Sequence, residues 1–469
     1  MGKLITVSKS KPLILHSKFL CFSLFFLFSS LFFALYTSLS QSQCLLRSSP
    51  FDPIRSPLFS YPSSYGHHKY PLSTSRNTCS SPVFFSDYWD VVREIRDFRD
   101  RSSSSSRRLA YMQGNAESFG GNFSAEMRFS YFHHRNDTTH LPCGFLTHFP
   151  ISHSDKMEME KCEGLVVVSA IFNDHDKIRQ PKGLGSKTLD TVCFFMFIDE
   201  ITLEGLHYHG LIPQKSTEEE EEHYKVGAWR LVKVSTTKDS YENPAMNGVI
   251  PKYLVHRLFP NSKLSIWVDA KVQLMVDPLL LIHSLVISEN VDMAISKHPF
   301  YVHTMEEAMA TARWKKWWDV NALKMQMETY CENGLEPWSN SKFPYPSDVP
   351  DSAVILRKHG VRSNLFSCLM FNELEAWNPR DQLAFAFVRD KMRPKLRLNM
   401  FEVEVFEQVV VEYRHNLKPA LLFNNTNNDN RIRRTRRRRT KRANSDMLYV
   451  NTTCCCKCQK YLSLMWGDE

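Results

Sequence analysis

Several signatures of familiar chemistry are missing from this 469-residue chain. It has no His-Glu-x-x-His, which excludes a helix-borne zinc protease site, and no Gly-x-Ser-x-Gly, which excludes a nucleophile elbow. Cys454, Cys455, Cys456 and Cys458 crowd together near the C-terminus, but no partner pair at zinc spacing follows them. Disulfides or free thiols are the expectation there. The net charge of +9 is local, because residues 431–442 (RIRRTRRRRTKR) alone carry nine positive charges. The remainder is near neutral and lacks a polyanion-binding signature, so no nucleic-acid partner is expected. Residues 40–140 lack a core pattern; rich in Ser, Pro, Arg and Tyr, they read as a largely disordered stem with one short amphipathic helix at 89–99.

Residues 1–18 contain no acid but hold Lys3, Lys9, Lys11 and Lys18, and residues 19–39 contain no charge at all. Twenty-one helical residues at about 1.5 Å each span a bilayer core of about 30 Å. Lysines on the N-terminal flank predict a cytosolic tail, a signal anchor over 19–39 and a luminal remainder, a single-pass type II topology. The rival, a cleaved signal peptide, usually has a shorter apolar region. Of twelve cysteines, Cys21 falls inside the anchor, and an oxidising lumen allows others to pair, Cys143 with Cys162 among them. Cys193 and Cys368 read as buried thiols within strands. Sequons at Asn122, Asn136, Asn424 and Asn451 accord weakly with a lumen.

From Cys143 the texture changes. Continuous apolar β-runs occur at 165–171, 191–198, 229–234, 264–268 and 291–296, and further strands are expected at 353–356 and 365–371. Helices are expected at 244–259, at 278–288 (amphipathic), over the long stretch 304–331 with Thr304 as N-cap and Glu307 closing a capping box, and at 379–391. Trp314, Trp317 and Trp318 lie in the long helix; packing is their expected role, with a sugar-stacking platform the alternative. Apolar strands alternating with helices predict an α/β domain over 143–412 with a mostly parallel sheet covered on both faces. Residues 413–469 form a basic, cysteine-containing tail. The acidic run 218–222 reads as a solvated loop, and His207-x-His209 is too common a pattern to carry meaning.

Eight collinear segments carry a resemblance: VVVSAIFNDHDKIRQPK (166–182), VCFFMFIDE (192–200), NGVIPKYLVHRLFPN (247–261), IWVDAKVQLMVDP (266–278), AISKH (294–298), SDVPDSAVILRKH (347–359), SNLFSCLMFNE (363–373) and RDQLAF (380–385). Together they resemble the plant glycosyltransferase-like domain family that includes the turgor-regulation-defect and mucilage-related proteins. The resemblance implies a GT-A-like nucleotide-sugar-transferase fold, a Golgi membrane setting, a nucleotide-sugar donor and a cell-wall polysaccharide acceptor of the pectic kind, with other Golgi enzymes as further partners. Some members bear a ceramidase label, which keeps a hydrolase open as the alternative, with a catalytically weak Golgi scaffold as the third. The chain departs from the pattern at Asn173, where glycine is usual, and at Ala245, Met246 and Val249, where basic residues are common. These departures put donor binding in question.

The functional expectation centres on the strand that ends in Asp269. Ligands of α/β sheets sit where strands end at their carboxyl side. GT-A enzymes usually hold Mn²⁺ or Mg²⁺ between two carboxylates of an Asp-x-Asp motif; here the motif reads Asp269-Ala270-Lys271. Either Asp269 binds a metal with help from His298, or Lys271 and other basic residues replace the metal, a lysine ammonium neutralising phosphate directly. Lys252 and His256, four apart on one expected helix face, are candidates for phosphate or ribose, and Asp199 for the nucleoside. Asp381 is the candidate base for the acceptor hydroxyl, with a first-turn helix acid as its plainer role.

Overall fold

The computed structural model describes residues 18–40, 44–49, 51–65, 79–101, 109–114, 116, 118–134, 139–213, 224–235, 241–415 and 458. The acidic run, the arginine tract, Cys454 to Cys456 and the sequons at Asn136, Asn424 and Asn451 lie outside these. Asn122 is exposed on a turn with φ 43°. The helix Lys18–Ser40 is long and apolar enough to cross a bilayer, with mean hydropathy 2.0 over Lys18–Leu35, and none of that window is buried against protein.

Numbered in chain order, the strands are β1 (Leu45–Arg47), β2 (Val83–Phe85), β3 (Leu165–Ile171), β4 (Val192–Ile198), β5 (Lys225–Val226), β6 (Trp229–Lys233), β7 (Leu264–Val268), β8 (Val272–Leu274), β9 (Met293–Lys297), β10 (Pro350–Lys358), β11 (Leu398–Phe401) and β12 (Val410–Glu412). Eight of them form one sheet in the order β11-β9-β10-β7-β3-β4-β6-β5. The β11–β9, β7–β3, β3–β4 and β4–β6 pairings are parallel, and β10 runs antiparallel to both its neighbours. This is the expected mostly parallel mixed sheet. Its strands read as continuous apolar runs because both faces are covered. Along β3, Val166 and Val168 enter one core, while Leu165, Val167 and Ile171 enter the other.

The antiparallel β10 gives the sheet one working edge. The carboxyl ends of β3, β4, β7 and β9 and the amino end of β10 all emerge there. Asp277 braces the sheet from the side. Its buried carboxylate caps the Pro278–Ile282 helix at Leu279 N (2.8 Å) and accepts from Gly185 N (2.6 Å) and Thr188 Oγ1 (2.5 Å).

Several sequence expectations are corrected. The segment 365–371 is not a strand but lies in the helix Val361–Ala376, and Leu365 to Leu374 are buried on every side of it. An all-round apolar run has no period by which helix and strand can be told apart. The Pro278–Ile282 helix and the π-turn His283–Ile287 are buried rather than amphipathic. The long helix splits into Thr304–Arg313 and Val320–Glu332, with Lys315 at φ 50° in the break and Asp319 capping the second half at Ala322 N, 2.9 Å. His303, not Thr304, is the N-cap, and Glu306 Oε2 accepts its backbone N–H at 3.1 Å.

The supposed stem is another. Its described residues are packed: helix Tyr88–Arg101 buries Tyr88, Val91, Val92 and Ile95, and Cys44 pairs with Cys79. Cys143 pairs with Cys368 and Cys162 with Cys193, replacing the expected Cys143–Cys162 bond and the two free thiols; Cys331 pairs with Cys458. Helix 361–376 brings Cys368 to Cys143 across 225 residues, a proximity no local pattern encodes.

Candidate active site at the carboxyl edge of the sheet

Asp269 leaves β7 half-buried, and its Oδ1 accepts from Trp267 Nε1 at 2.6 Å. Lys252, on the last turn of the Pro244–Tyr253 helix, points into the same place. Its Nζ lies 2.8 Å from Asp381 Oδ2, 3.1 Å from Ser352 Oγ and 3.5 Å from Asp269 Oδ1. Burial pulls the ammonium's pKa down, but Asp269 and Asp381 together outweigh it and hold Lys252 charged. The helix is capped by Asn243 at Ala245 N and starts with Pro244 at its first turn.

Asp381 is 4% exposed. Besides Lys252, it accepts from Ser352 Oγ at 2.8 Å and Tyr253 Oη at 3.0 Å. Burial pushes its carboxyl up, but Lys252 and the hydroxyls outweigh burial and leave it below the usual carboxylate range. A carboxylate so low and so fully engaged is a poor proton acceptor. Both of its oxygens thus face donors, Lys252 and Tyr253 on Oδ2 and Ser352 on Oδ1.

Lys271 turns to β12, where its Nζ meets Glu412 Oε1 at 2.9 Å. Burial lowers its pKa, but Asp269, Glu412 and Asp351 raise it further. Asp351, at the amino end of β10, faces the same group. Burial lifts its carboxyl to about 6 against the pull of Lys271. Sequence reasoning passed over Asp351, Ser352 and Glu412; the segment SDVPDSAV carried the resemblance, yet nothing local distinguishes its second aspartate. Only the antiparallel β10, pairing Asp351 with Ser296 and Val354 with Val268, brings it beside Asp269.

The other expected site residues separate from this group. His256 shares no face with Lys252, because the helix ends at Tyr253 and Leu254 (φ −99°, ψ 23°) turns the chain. It is buried 3.7 Å and 3.6 Å from the sulfurs of Cys143 and Cys368, and burial, then His359 and the nearby arginines, drive its pKa well below 6.5. These three side chains have metal-ligand proximity, but the sulfurs are bonded to each other. Asp199 caps its own helix at Thr202 N (2.9 Å) and takes Asn173 N at 2.7 Å, so it ties the ends of β3 and β4 together. Asn173 has φ 59°, the left-handed region that Gly favours and Asn tolerates, so its departure from glycine leaves that turn intact. Met246 and Val249 are buried in the helix's inner face, while Ala245 is exposed in its first turn.

His298 follows β9 at the same edge. Its Nδ1 accepts from Phe300 N (3.2 Å) and Tyr301 N (3.1 Å), and burial lowers its pKa to about 4. A neutral ring with Nδ1 so occupied carries its proton on Nε2.

Beside the cluster lies a cavity of about 510 Å³ between the loop after β3 and residues 54–65. Lys177, Arg179 and Lys182 line it with Tyr61, Tyr65 and Tyr413. Arg179 stacks on Tyr413 at 3.5 Å, while its Nε and Nη2 have no hydrogen-bond partner among the described residues. None of Asp269, Lys252 or Asp381 lines this cavity; the strap 410–415 connects the two. Tyr413 N donates to Lys271 O at 2.9 Å, and His415 Nδ1 lies 3.0 Å from Asp176 Oδ2.

A basic, aromatic cavity thus lies beside paired lysines and carboxylates at the carboxyl edge of a mostly parallel α/β sheet. Residues 104–415 match the family described as "TOD1/MUCI70, glycosyltransferase-like domain", and the chain belongs to that family. It is 68% identical over 418 residues to "Alkaline ceramidase TOD1" of Arabidopsis thaliana, covering 89% of each chain. It is 39% identical over 277 residues to "Probable hexosyltransferase MUCI70" of the same plant, covering 56% of this chain and 46% of that one. Mouse xyloside xylosyltransferase 1 aligns over 50% of this chain and 84% of its own at 8% identity and a TM-score of 0.28, too low to bear on the fold.

Proposed function

We propose that this chain is a Golgi-resident, single-pass type II glycosyltransferase that moves a sugar from a nucleotide-sugar donor to a cell-wall polysaccharide of the pectic class. The family supports sugar transfer. The observation that carries the site is the Asp381–Lys252–Asp269 chain of contacts beside the basic cavity. A divalent metal gripped by an Asp-x-Asp pair does not fit, since Lys271 replaces the second carboxylate and Lys252 and Lys271 both act on Asp269. Neutralising the departing diphosphate falls to Lys252, Lys271 and Arg179, fixed charges in a partly dry site. Donor binding by the full chain in detergent is expected to survive EDTA; loss of binding on chelation would refute the lysine mode.

In the transfer, the acceptor hydroxyl oxygen bonds to the anomeric carbon, the bond from that carbon to the donor phosphate oxygen breaks, and the nucleoside diphosphate leaves. Asp351 receives the hydroxyl proton in an inverting reaction. With its carboxyl at about 6, it is ionised above that pH, so activity rises with pH through that value. Asp351→Asn is expected to lower transfer by roughly 10²-fold or more and to remove this acid limb while sparing donor binding. An unchanged pH profile in the variant rejects the role.

The name of the 68% identical relative favours a second reading, amide hydrolysis of ceramide. The two are separated by offering the full chain a panel of nucleotide sugars and, in parallel, ceramide at alkaline pH. Binding and slow donor hydrolysis with one nucleotide sugar supports transfer; ceramide cleavage without such binding supports the hydrolase.

A further inference from the structure

The chain enters the folded domain almost as soon as it leaves the apolar helix. That helix ends at Ser40, and Cys44 is already fully buried. Cys44 N donates to Gln408 Oε1 at 2.9 Å, its carbonyl accepts from Val83 N at 2.7 Å, and its sulfur is bonded to Cys79. The chain from residue 40 to residue 44 reaches at most about 14 Å. The uncharged stretch 19–39 by itself fills a bilayer core. Cys44 therefore stands within that reach of the lipid headgroups.

A small, firmly tied patch surrounds it. β1 pairs in parallel with β2, with Leu46 opposite Phe84, which places Phe84 within about 12 Å of Cys44 by strand spacing. Alternation along β2 turns Phe85 inward, 1% exposed, and leaves Phe84 66% exposed. Ser49 Oγ donates to Asp87 Oδ2 at 2.7 Å, and Asp87 Oδ1 accepts from Trp89 N at 2.9 Å. These bonds tie the chain just after β1 to the first turn of the helix Tyr88–Arg101, where Trp89 is 57% exposed. Around the rings, exposed Arg47, Arg93 and Arg96 are matched by exposed Asp90, Glu94 and Asp97, so the patch carries no net charge. Trp314 and Trp318, in the break of the long helix, are 70% and 78% exposed, against the packing expected of them. Exposure alone does not mark a docking site. The short tether is what sets Phe84 and Trp89 apart.

We infer that this patch rests on the bilayer that holds the chain's own helix, with Phe84 and Trp89 among the headgroups, so that the domain stands on the membrane with no free stem between. Aromatic rings, and tryptophan above all with its apolar body and single N–H, suit that layer. Because the patch is neutral, the contact depends on the rings and not on anionic lipid or low salt. It also fixes the height of the candidate site. Gln408, bonded to Cys44, lies two residues before β12, whose Glu412 holds Lys271. The inference rests on the single-pass part of the reading above.

The test uses the full chain in proteoliposomes of phosphatidylcholine brominated near the headgroup end of its acyl chains, which quenches tryptophans at the membrane surface. The wild type is expected to be quenched more than Trp89→Phe, and the difference is the Trp89 share. Phe84→Asp is expected to lower the docked-to-free ratio read from that share roughly tenfold, with the unfolding temperature unchanged. The share should not alter when phosphatidylserine is added or salt is raised. Equal quenching of the wild type and Trp89→Phe overturns the inference. So does a Trp89 share that requires phosphatidylserine or vanishes in high salt. The mass of the mature chain separates this from the reading beneath it. Loss of residues 18–40 from the mature chain overturns both, whereas a retained helix without Trp89 quenching overturns the docking alone.

Discussion

Lys252→Ala is expected to abolish sugar transfer and to destabilise the domain by about 3–5 kcal/mol, the usual effect of removing one partner from a buried ion pair. Asp381 would remain inside the protein without its counter-charge, with only Ser352 and Tyr253 to bond it. Asp381→Asn should behave similarly but more mildly, because an amide still satisfies the hydroxyls. The decisive comparison is the double variant Lys252→Met/Asp381→Leu. Replacing both charges with apolar groups should recover much of the stability, while transfer stays absent because no cation faces the diphosphate. Thermal unfolding of the full chain and a donor-hydrolysis assay read the two effects separately. Recovery of activity in the double variant would remove Lys252 from the mechanism.

The same pair sets an acid limit. Asp381 has its pKa lowered in the folded chain, so its stabilisation is fully present above the ordinary carboxylate range, near 4. It is lost as pH falls through the lower folded value. The wild type should therefore lose stability below about pH 4, and Asp381→Asn should lose less over that window.

The second large effect concerns Cys143–Cys368, which closes 225 residues of chain. In the loop-entropy account, a loop of that length is worth about 5 kcal/mol. Cys143→Ser/Cys368→Ser is expected to lower the denaturant midpoint accordingly. The Cys162–Cys193 bond closes 31 residues, and its removal should matter roughly 1–2 kcal/mol less. The reverse ranking would show that constraint of the unfolded chain is not what these bonds contribute. His256, packed against both sulfurs, reports locally: its depressed pKa should rise when the pair is removed and the pocket loosens.

Some of this was legible in the chain because it depends on neighbours in sequence. The central strands announced themselves as unbroken apolar runs, and Asp269 as a carboxylate just beyond one of them. The helix starts at Asn243-Pro244 and Asp277-Pro278 are side-chain caps within two residues of what they cap. The misreadings share a cause. Residues 365–371 have no visible period because burial is complete on all sides. The helix over 304–331 breaks at Trp314 to Asp319, where no proline or glycine marks the spot and the left-handed residue is a lysine. Residues 40–140 lack a core of their own, yet their described parts pack against the core of the main sheet.

The sequence alone determined the elements whose signal is local: the apolar helix, the strands of a doubly covered sheet, and a motif whose third residue is a lysine. What each charged group does was decided by tertiary structure. Lys271 is held by Glu412, which is 141 residues away, and Asp381 is paired with Lys252, at a separation of 129. Asp351 enters the site only because β10 runs antiparallel between β7 and β9. Charge–charge energies depend on distance and burial, and both are fixed by which strands and helices meet, not by the order of residues along the chain.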